Sequence, residues 1–361
     1  MTKKIIAAIL TGIVSIILPF KISAQQTKIL TAEKHNEYGL VYMLPTTAFE
    51  IEVTAIKETS LAGPFYKYAK KFAGNNQVVT EDKVAWTIEN VRIKPYGVAN
   101  TDESYLMQLK AGSTTFIAVD ENGMILAINK DPEKENETEE TTANIIGQPT
   151  TGTEYLQYVN EDFISAQADF KRAQLLSEEL MEIRDAKNSL VRGTAETMPT
   201  DGRQLELMLE SLENQEKALT QAFTGNSWKE RVVRSYSYIP KDEKRIVLFR
   251  FSDFNGFVDA DDYSGDPVYA AVKVVKEAEL PTDSKGEEKK IPKDAVIYCV
   301  PGTALLSISI PSATLFSKEY QMSQFGMNFG LNPSIFTDKK EPSYAIFDPS
   351  TGALMELGII K

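Results

Sequence analysis

Val41-Tyr42-Met43-Leu44-Pro45-Thr46-Thr47-Ala48 and Ile297-Tyr298-Cys299-Val300-Pro301-Gly302-Thr303-Ala304 carry one pattern written twice, 256 positions apart at the proline. A second pair of segments repeats the relation. Phe116-Ile117-Ala118-Val119-Asp120-Glu121-Asn122-Gly123 returns as Tyr344-Ala345-Ile346-Phe347-Asp348-Pro349-Ser350-Thr351-Gly352, and apolar residues follow both glycines. Two readings are open: a true internal duplication, or two β-rich lobes that use similar turn chemistry. The aspartates are only 228 positions apart, so the second unit is the shorter by about one hairpin. After the proline the alternation also slips by one residue, which a bulge at Gly302 would absorb.

Working outward, Leu40 to Ala55 reads as a strand, with Phe49, Ile51 and Val53 alternating against Glu50, Glu52 and Thr54. Pro45 cannot donate to a ladder, so it marks a bulge or an edge. Phe65, Tyr68, Ala69 and Phe72 share one helical face before Gly74. Val84 to Ile88 and Val91 to Ile93 are further strands, and Thr115 to Ile128 is a hairpin turning through Asp120–Gly123. After residue 227 the β character returns in Val232–Tyr238, Arg245–Phe251, Val268–Glu277, Ala295–Ile310 and the closing hairpin Tyr344–Leu357. Ser323–Gly326 and Leu331–Pro333 read as turn-rich connections.

Between the β stretches lies different material. Asn129 to Asn144 is dense in Glu and Thr and offers almost nothing to bury, so a solvated loop is expected. Asn160 to Arg192 then places Phe163, Ala166, Phe170, Ala173, Leu180, Ile183 and Leu190 on one stripe. A second helix from Asp201 carries Leu205, Leu209, Leu212, Leu219 and Phe223. Asp201 with Gln204 forms a capping-box pattern, and Gly225 stands where a left-handed cap belongs. At 1.5 Å per residue the first helix would run about 50 Å. The expected class is α+β: a β-rich lobe over 37–130, an acidic linker over 131–157, a long antiparallel helical hairpin over 158–226, and a second β-rich lobe over 227–361.

The N-terminus reads as an address. Lys3 and Lys4, an apolar run from Ile5 to Phe20, and Ile22-Ser23-Ala24 before Gln25 form a secretory signal peptide over 1–24, too short for a span of roughly 20 apolar residues. Residues 25–36 make a polar, flexible arm. No later segment is long and apolar enough to cross a membrane, and the sole cysteine, Cys299, cannot be a lipid anchor beside that cleavage site. A soluble exported protein, periplasmic or outer-membrane-associated and not lipidated, is expected. Loss of residues 1–24 removes three lysines and no acid, moving the net charge from −12 to −15. Nucleic acid and anionic lipid are poor partners for such a chain. One cysteine allows no internal disulfide, so stability rests on packing.

Chemistry is sparse. The only histidine, His35, lies in the polar arm, which removes Ser-His-Asp, Cys-His and histidine-metal sites from the body of the chain. Cys299 has the setting of a small buried core residue. No phosphate-binding glycine loop or nucleophile elbow occurs, so no catalytic or cofactor-binding residue is assigned. The one dense constellation is Asp259-Ala260-Asp261-Asp262-Tyr263-Ser264-Gly265-Asp266. Asp259, Asp261, Asp262 and Asp266 are candidate calcium ligands, although Tyr263 breaks the EF-hand order and no glutamate completes the loop. Tyr66, Trp86, Tyr96, Trp228, Tyr236 and Tyr238 could stack on sugars, but core use accounts for most of them.

These residues also carry a resemblance. Gly39–Ala48 with Glu50–Val53, Pro64–Ala69, Leu205–Glu213 followed by Phe223-Thr224-Gly225, Leu248–Ser252, Ser264–Pro267 and Phe347–Gly352 resemble the domain-of-unknown-function 4831 family of exported Bacteroidota proteins. The resemblance spans nearly the whole mature chain. It implies a Gram-negative envelope location and no particular activity, and the acidic Asn129–Asn144 stretch departs from it. The functional expectation is a non-catalytic binding or scaffolding protein whose partner is an envelope protein or a glycan. The alternative is a carboxylate-dependent hydrolase or calcium-dependent glycan-binding module using the Asp259–Asp266 loop.

Overall fold

A computed structural model describes residues 38–109, 115–132, 144–292, 294–338 and 340–360. The expected leader, the arm with His35, and residues 133–143 of the acidic linker lie outside the described residues. The chain is mostly β, with three sheets and a few helices.

The thirteen strands are β1 (Tyr38–Leu61), β2 (Lys83–Leu109), β3 (Ile117–Val119), β4 (Ile125–Ile128), β5 (Ile145–Ile146), β6 (Asn226–Tyr238), β7 (Ile246–Ser252), β8 (Gly256–Val258), β9 (Asp266–Lys276), β10 (Val296–Ile310), β11 (Ala313–Leu331), β12 (Ser343–Phe347) and β13 (Leu354–Ile359). They form sheets in the orders β2-β1-β6-β5, β11-β10-β9-β7-β8 and β13-β12-β4-β3. The expectation of two separate β lobes is corrected by this pairing. β6 completes the sheet of β1 and β2, and β12 pairs with β4 through Ala345 opposite Ile128.

The molecule is organised by two long antiparallel pairs, β1–β2 and β10–β11. Strands of 24 and 27 residues exceed the usual 3–10 because each half serves a different core. Tyr42 and Leu44 of β1, with Tyr105 and Met107 of β2, pack in the core beneath the β3–β4–β12–β13 sheet. Phe49, Ile51, Val53 and Ala55, with Val91, pack in the core between the other two sheets. The second pair divides the same way, with Val296, Tyr298 and Phe329 in the first core and Ala304, Leu306, Ile308 and Met322 in the second.

The crossing point in each pair is an irregularity at the proline. The β1–β2 register jumps from Met43 opposite Ser104 to Pro45 opposite Ala99; the β10–β11 register jumps from Val300 opposite Met327 to Gly302 opposite Met322. One residue on the proline strand thus faces four on its partner, residues 100–103 in one pair and 323–326 in the other. An irregularity is thus present at Pro45 and at Gly302, but the extra residues lie on the partner strand, β2 or β11, and not on the proline strand as expected at Gly302. The segment read as a turn at Ser323–Gly326 lies inside β11, because a four-residue bulge has the composition of a turn without ending the strand.

The Asp-Gly hairpins dock on the two crossings alike. Asp120 Oδ1 accepts from the N–H groups of Asn122 and Met124, and Asp348 Oδ1 from those of Ser350 and Thr351. Gly123 and Gly352 both take positive φ, 81° and 70°, where a side chain would be strained. Met43 then donates its N–H to the Gly123 carbonyl at 2.9 Å, and Cys299 donates to the Gly352 carbonyl at 3.0 Å.

The helices are α1 (Ala69–Phe72), α2 (Glu161–Ser165), α3 (Asp169–Arg192) and α4 (Gly202–Thr224). The expected single helix from Asn160 is broken, because Ala166 and Ala168 are extended, with ψ of 128° and 131°. The break lets Phe163 turn into an aromatic cluster, edge-on to Phe65 and Tyr155 at 6.0 and 6.1 Å. Phe170, expected on the buried stripe, is 44% exposed beneath the Lys71 ammonium. α3 and α4 touch through Arg184–Glu216 (2.8 Å) and Lys187–Glu213 (3.5 Å), and share a core of Leu176, Leu180, Leu219 and Phe223. Asp201 caps α4 by accepting from the Gln204 N–H at 2.8 Å. Gly225 has a positive φ of 71° but an extended ψ, whereas Gly193 forms the left-handed cap at the end of α3. No described helix is long and apolar enough to cross a membrane.

Candidate functional site

Of the four aspartates singled out in the sequence, Asp259, Asp261 and Asp262 lie in the turn between β8 and β9, and Asp266 is the first residue of β9. Arg250 reaches into this turn, its Nε donating to the Ala260 carbonyl at 2.9 Å and Nη1 to the Gly265 carbonyl at 3.1 Å, with the guanidinium 4.4 Å from the Tyr263 ring. Asp262 Oδ1 accepts from the Ser264 N–H at 2.9 Å, and that bond, reinforced by Arg250, holds its carboxyl below the ordinary range. Asp266 begins β9 opposite Phe251. Among the described residues, no three His, Cys, Asp or Glu side chains converge where a metal could be held. The loop is a solvated turn braced by an arginine.

Of the aromatics, Trp228 and Tyr238 are buried, and Trp86 and Tyr236 pack against the large core, Tyr236 stacked on Phe249 at 4.4 Å. Tyr96 is half-buried on the outer face beside Glu50, its hydroxyl 2.6 Å from Ser237 Oγ.

A polar cleft lies where the two proline crossings meet. It encloses about 210 Å³ and is lined by Leu44, Pro45 and Thr46 of β1, Asn100 and Glu103 of the β2 bulge, Cys299 of β10, and Ser323, Gln324, Gly326 and Asn328 of β11. Both echoes and both four-residue bulges supply its walls. Several polar groups at this crossing are tied to one another within the protein. Thr47 donates its N–H to Ser323 Oγ at 3.0 Å and its hydroxyl to the Ser350 carbonyl at 3.0 Å. Gln324 Nε2 donates to the Thr47 carbonyl (3.0 Å) and the Pro240 carbonyl (2.9 Å), while its Oε1 accepts from the Thr47 N–H.

Across the cleft, Glu103 Oε2 accepts from the Tyr105 hydroxyl and from Asn328 Nδ2 at 2.8 Å, and Asn328 Nδ2 also lies 3.0 Å from the Tyr105 oxygen. Burial pushes the Tyr105 hydroxyl well up, and the bond to Glu103 and its charge push it further. Burial likewise raises the Cys299 thiol to about 12, with the Glu103 charge adding to it. Tyr42, buried beside Tyr105, accepts from the Ile297 N–H at 2.7 Å and donates to the Ile297 carbonyl at 3.0 Å, stitching the two proline strands together. Glu103 is then the single charged group of a cleft whose thiol and phenol are neutral, with no second acid, base or activated nucleophile.

Sequence reasoning missed Glu103, Asn328, Ser323 and Gln324 as a group. The available signal was an interruption of the alternation, at Asn100–Glu103 and at Ser323–Gly326, in the strand that follows each proline strand. No curated protein and no solved structure is similar to the chain. A family profile matches residues 38–355 and is described as a domain of unknown function, DUF4831. With nearly all of the β scaffold and every residue of the cleft inside that span, the chain belongs to the DUF4831 family.

Proposed function

We propose that this is a non-catalytic binding protein, exported to a Gram-negative envelope, that holds an envelope protein or glycan at the cleft between its two proline crossings. The observation that carries this reading is the state of the cleft walls. Several of their polar groups are tied to one another and Glu103 is the one charged residue among them, an arrangement that fixes a ligand's position but supplies no acid–base or nucleophilic partner. The leader-like residues 1–24 and the acidic net charge support the export reading.

Internal duplication is part of the same proposal. Each copy has a proline strand, a one-against-four bulge and an Asp-Gly hairpin whose glycine carbonyl accepts from the residue after the tyrosine. Fusion of two copies makes a cleft at their junction that neither copy would possess alone. α3 and α4 act as one antiparallel helical hairpin at the side of this core, a spacer rather than the binding surface.

Thr46→Trp fills the cleft from a half-buried strand position. The mature chain and this variant, immobilised and exposed to the same solubilised envelope extract, are compared by quantitative mass spectrometry. A species retained by the native chain and lost by an equally stable variant supports the reading. Identical retained sets, or none in either, overturn it.

A further inference from the structure

The proposed binding function leaves the ligand's chemistry open, and the cleft narrows it. We propose that the cleft receives an organic cation, an ammonium or guanidinium group, against the carboxylate of Glu103. The inference rests on the reading of this cleft as the binding site. No lysine or arginine lines the cleft, and none of the ion pairs among the described residues includes Glu103. An incoming anion would meet an uncompensated carboxylate between the apolar surfaces of Leu44, Pro45 and the buried thiol of Cys299, where like charges repel strongly. A neutral hydrogen-bonding ligand would find Asn328 Nδ2 and Gln324 Nε2 already committed, and the Asn100 amide and Thr46 hydroxyl could hold it without using the Glu103 charge. A metal ion would find one carboxylate rather than a ligand set. A donor-rich cation uses what is particular to this cleft, an acceptor that also carries its one charge.

The volume of about 210 Å³ suits a short alkyl chain bearing one such head group, whether a free amine or a basic side chain of a partner. The net charge of −12 draws cations toward the protein over a longer range. Cys299 lines the same cleft as Glu103, so a group seated there changes the surroundings of its buried side chain and Cys299 reports occupancy. It is the only cysteine and gives a single signal on selective ¹³C labelling.

The test follows that signal in the mature chain during titration with n-butylammonium, n-butylguanidinium, butyrate and butanol. Short peptides carrying one lysine or one arginine are added as further arms. Cations are expected to shift the Cys299 resonance saturably, with affinity falling as salt is added, and butyrate to leave it unmoved. In Glu103→Gln, which keeps the shape, affinity for the cation falls about tenfold or more, as loss of a charge-assisted hydrogen bond requires. Asn328→Asp, with a second carboxylate, tightens it, so a poorly folding Gln variant does not end the test. Peptide binding without free-amine binding assigns the source to a partner chain; the reverse assigns it to a small amine. Butanol or butyrate binding as well as the cations in the native chain, but not in Thr46→Trp, overturns the cation proposal and leaves the cleft as a binding site. No shift from any probe also overturns it, while the extract comparison judges the binding function separately.

Discussion

The two proline strands make the same passage from one core to the other and are wired differently where they cross. In β1, Thr47 is tied to Ser323, Gln324 and Ser350, and Tyr42 bridges to the backbone of β10. In β10, the matching Thr303 sits in the ladder opposite Gln321 and Lys276, and Tyr298 turns inward against Phe329 and Phe347. Crowding is also resolved on different strands. In the first pair, a Cβ at Gly97 of β2 would lie 2.1 Å from the Pro349 carbonyl oxygen; in the second, a Cβ at Gly302 of β10 itself would lie 2.2 Å from the Phe325 carbonyl oxygen. Backbone course is repeated while side-chain duties are split, with the first crossing taking most of the polar bonds that close the cleft.

Gly97→Val and Gly302→Val should break the comparison most severely, because each added side chain meets backbone that cannot swing away. Each is expected to cost about 3 kcal/mol or more in denaturant unfolding. Gly193→Ala, with open space and only a positive φ to strain, serves as the mild control at about 1 kcal/mol. Next come the two turn aspartates. Asp348 accepts from two N–H groups and the hydroxyls of Ser350 and Thr351, whereas Asp120 accepts mainly from two N–H groups. Asp348→Ala should cost about 2 kcal/mol and Asp120→Ala about 1; equal losses would make the hairpins energetically equivalent.

A smaller contrast separates the threonines. Thr47→Val strips a hydroxyl from the cleft network and is expected to cost about 1–2 kcal/mol, while Thr303→Val should stay within about 0.5, both read from thermal and urea melts. Burial pushes the Glu154 carboxyl up, but hydrogen bonds from the Thr150 hydroxyl and the Thr151 N–H outweigh it and hold the group at about 2 instead of the ordinary 4.5. Because the folded value lies below the unfolded one, this stabilisation is complete above about 4.5 and is lost as pH falls toward 2. Glu154→Gln should flatten that limb of the stability curve. The smallest effect is expected at the β8–β9 turn, where millimolar calcium or a chelator should leave the melting temperature unchanged.

Local chemistry was legible in the chain. A proline that cannot donate, an Asp-Gly turn and an Asp201 cap each announce themselves within a few residues, and the irregularity at Gly302 was visible as a one-residue slip between the two proline strands. Pairing was not legible. β6 joins β1 and β12 joins β4 because of complementarity between segments more than one hundred residues apart, which alternation within either segment does not encode. The break before α3 was hidden because Ala166 and Ala168 favour helix; what extends them is the docking of Phe163, a tertiary cause. The cleft escaped notice because Glu103 and Asn328 are unremarkable polar residues until two bulges set them side by side.

The interleaving of the sheets has a kinetic consequence. The core beneath β12 is built from Tyr42, Ile128, Tyr298 and Phe347 together, so no early part of the chain can close it alone. Contacts of such sequence separation impose slow loop closure, and folding should follow the synthesis of residues 343–359 rather than accompany it. Until that hairpin arrives, the long strands β1 and β2 present unpaired edges and bare apolar faces, an interval in which a holding chaperone would have most to bind.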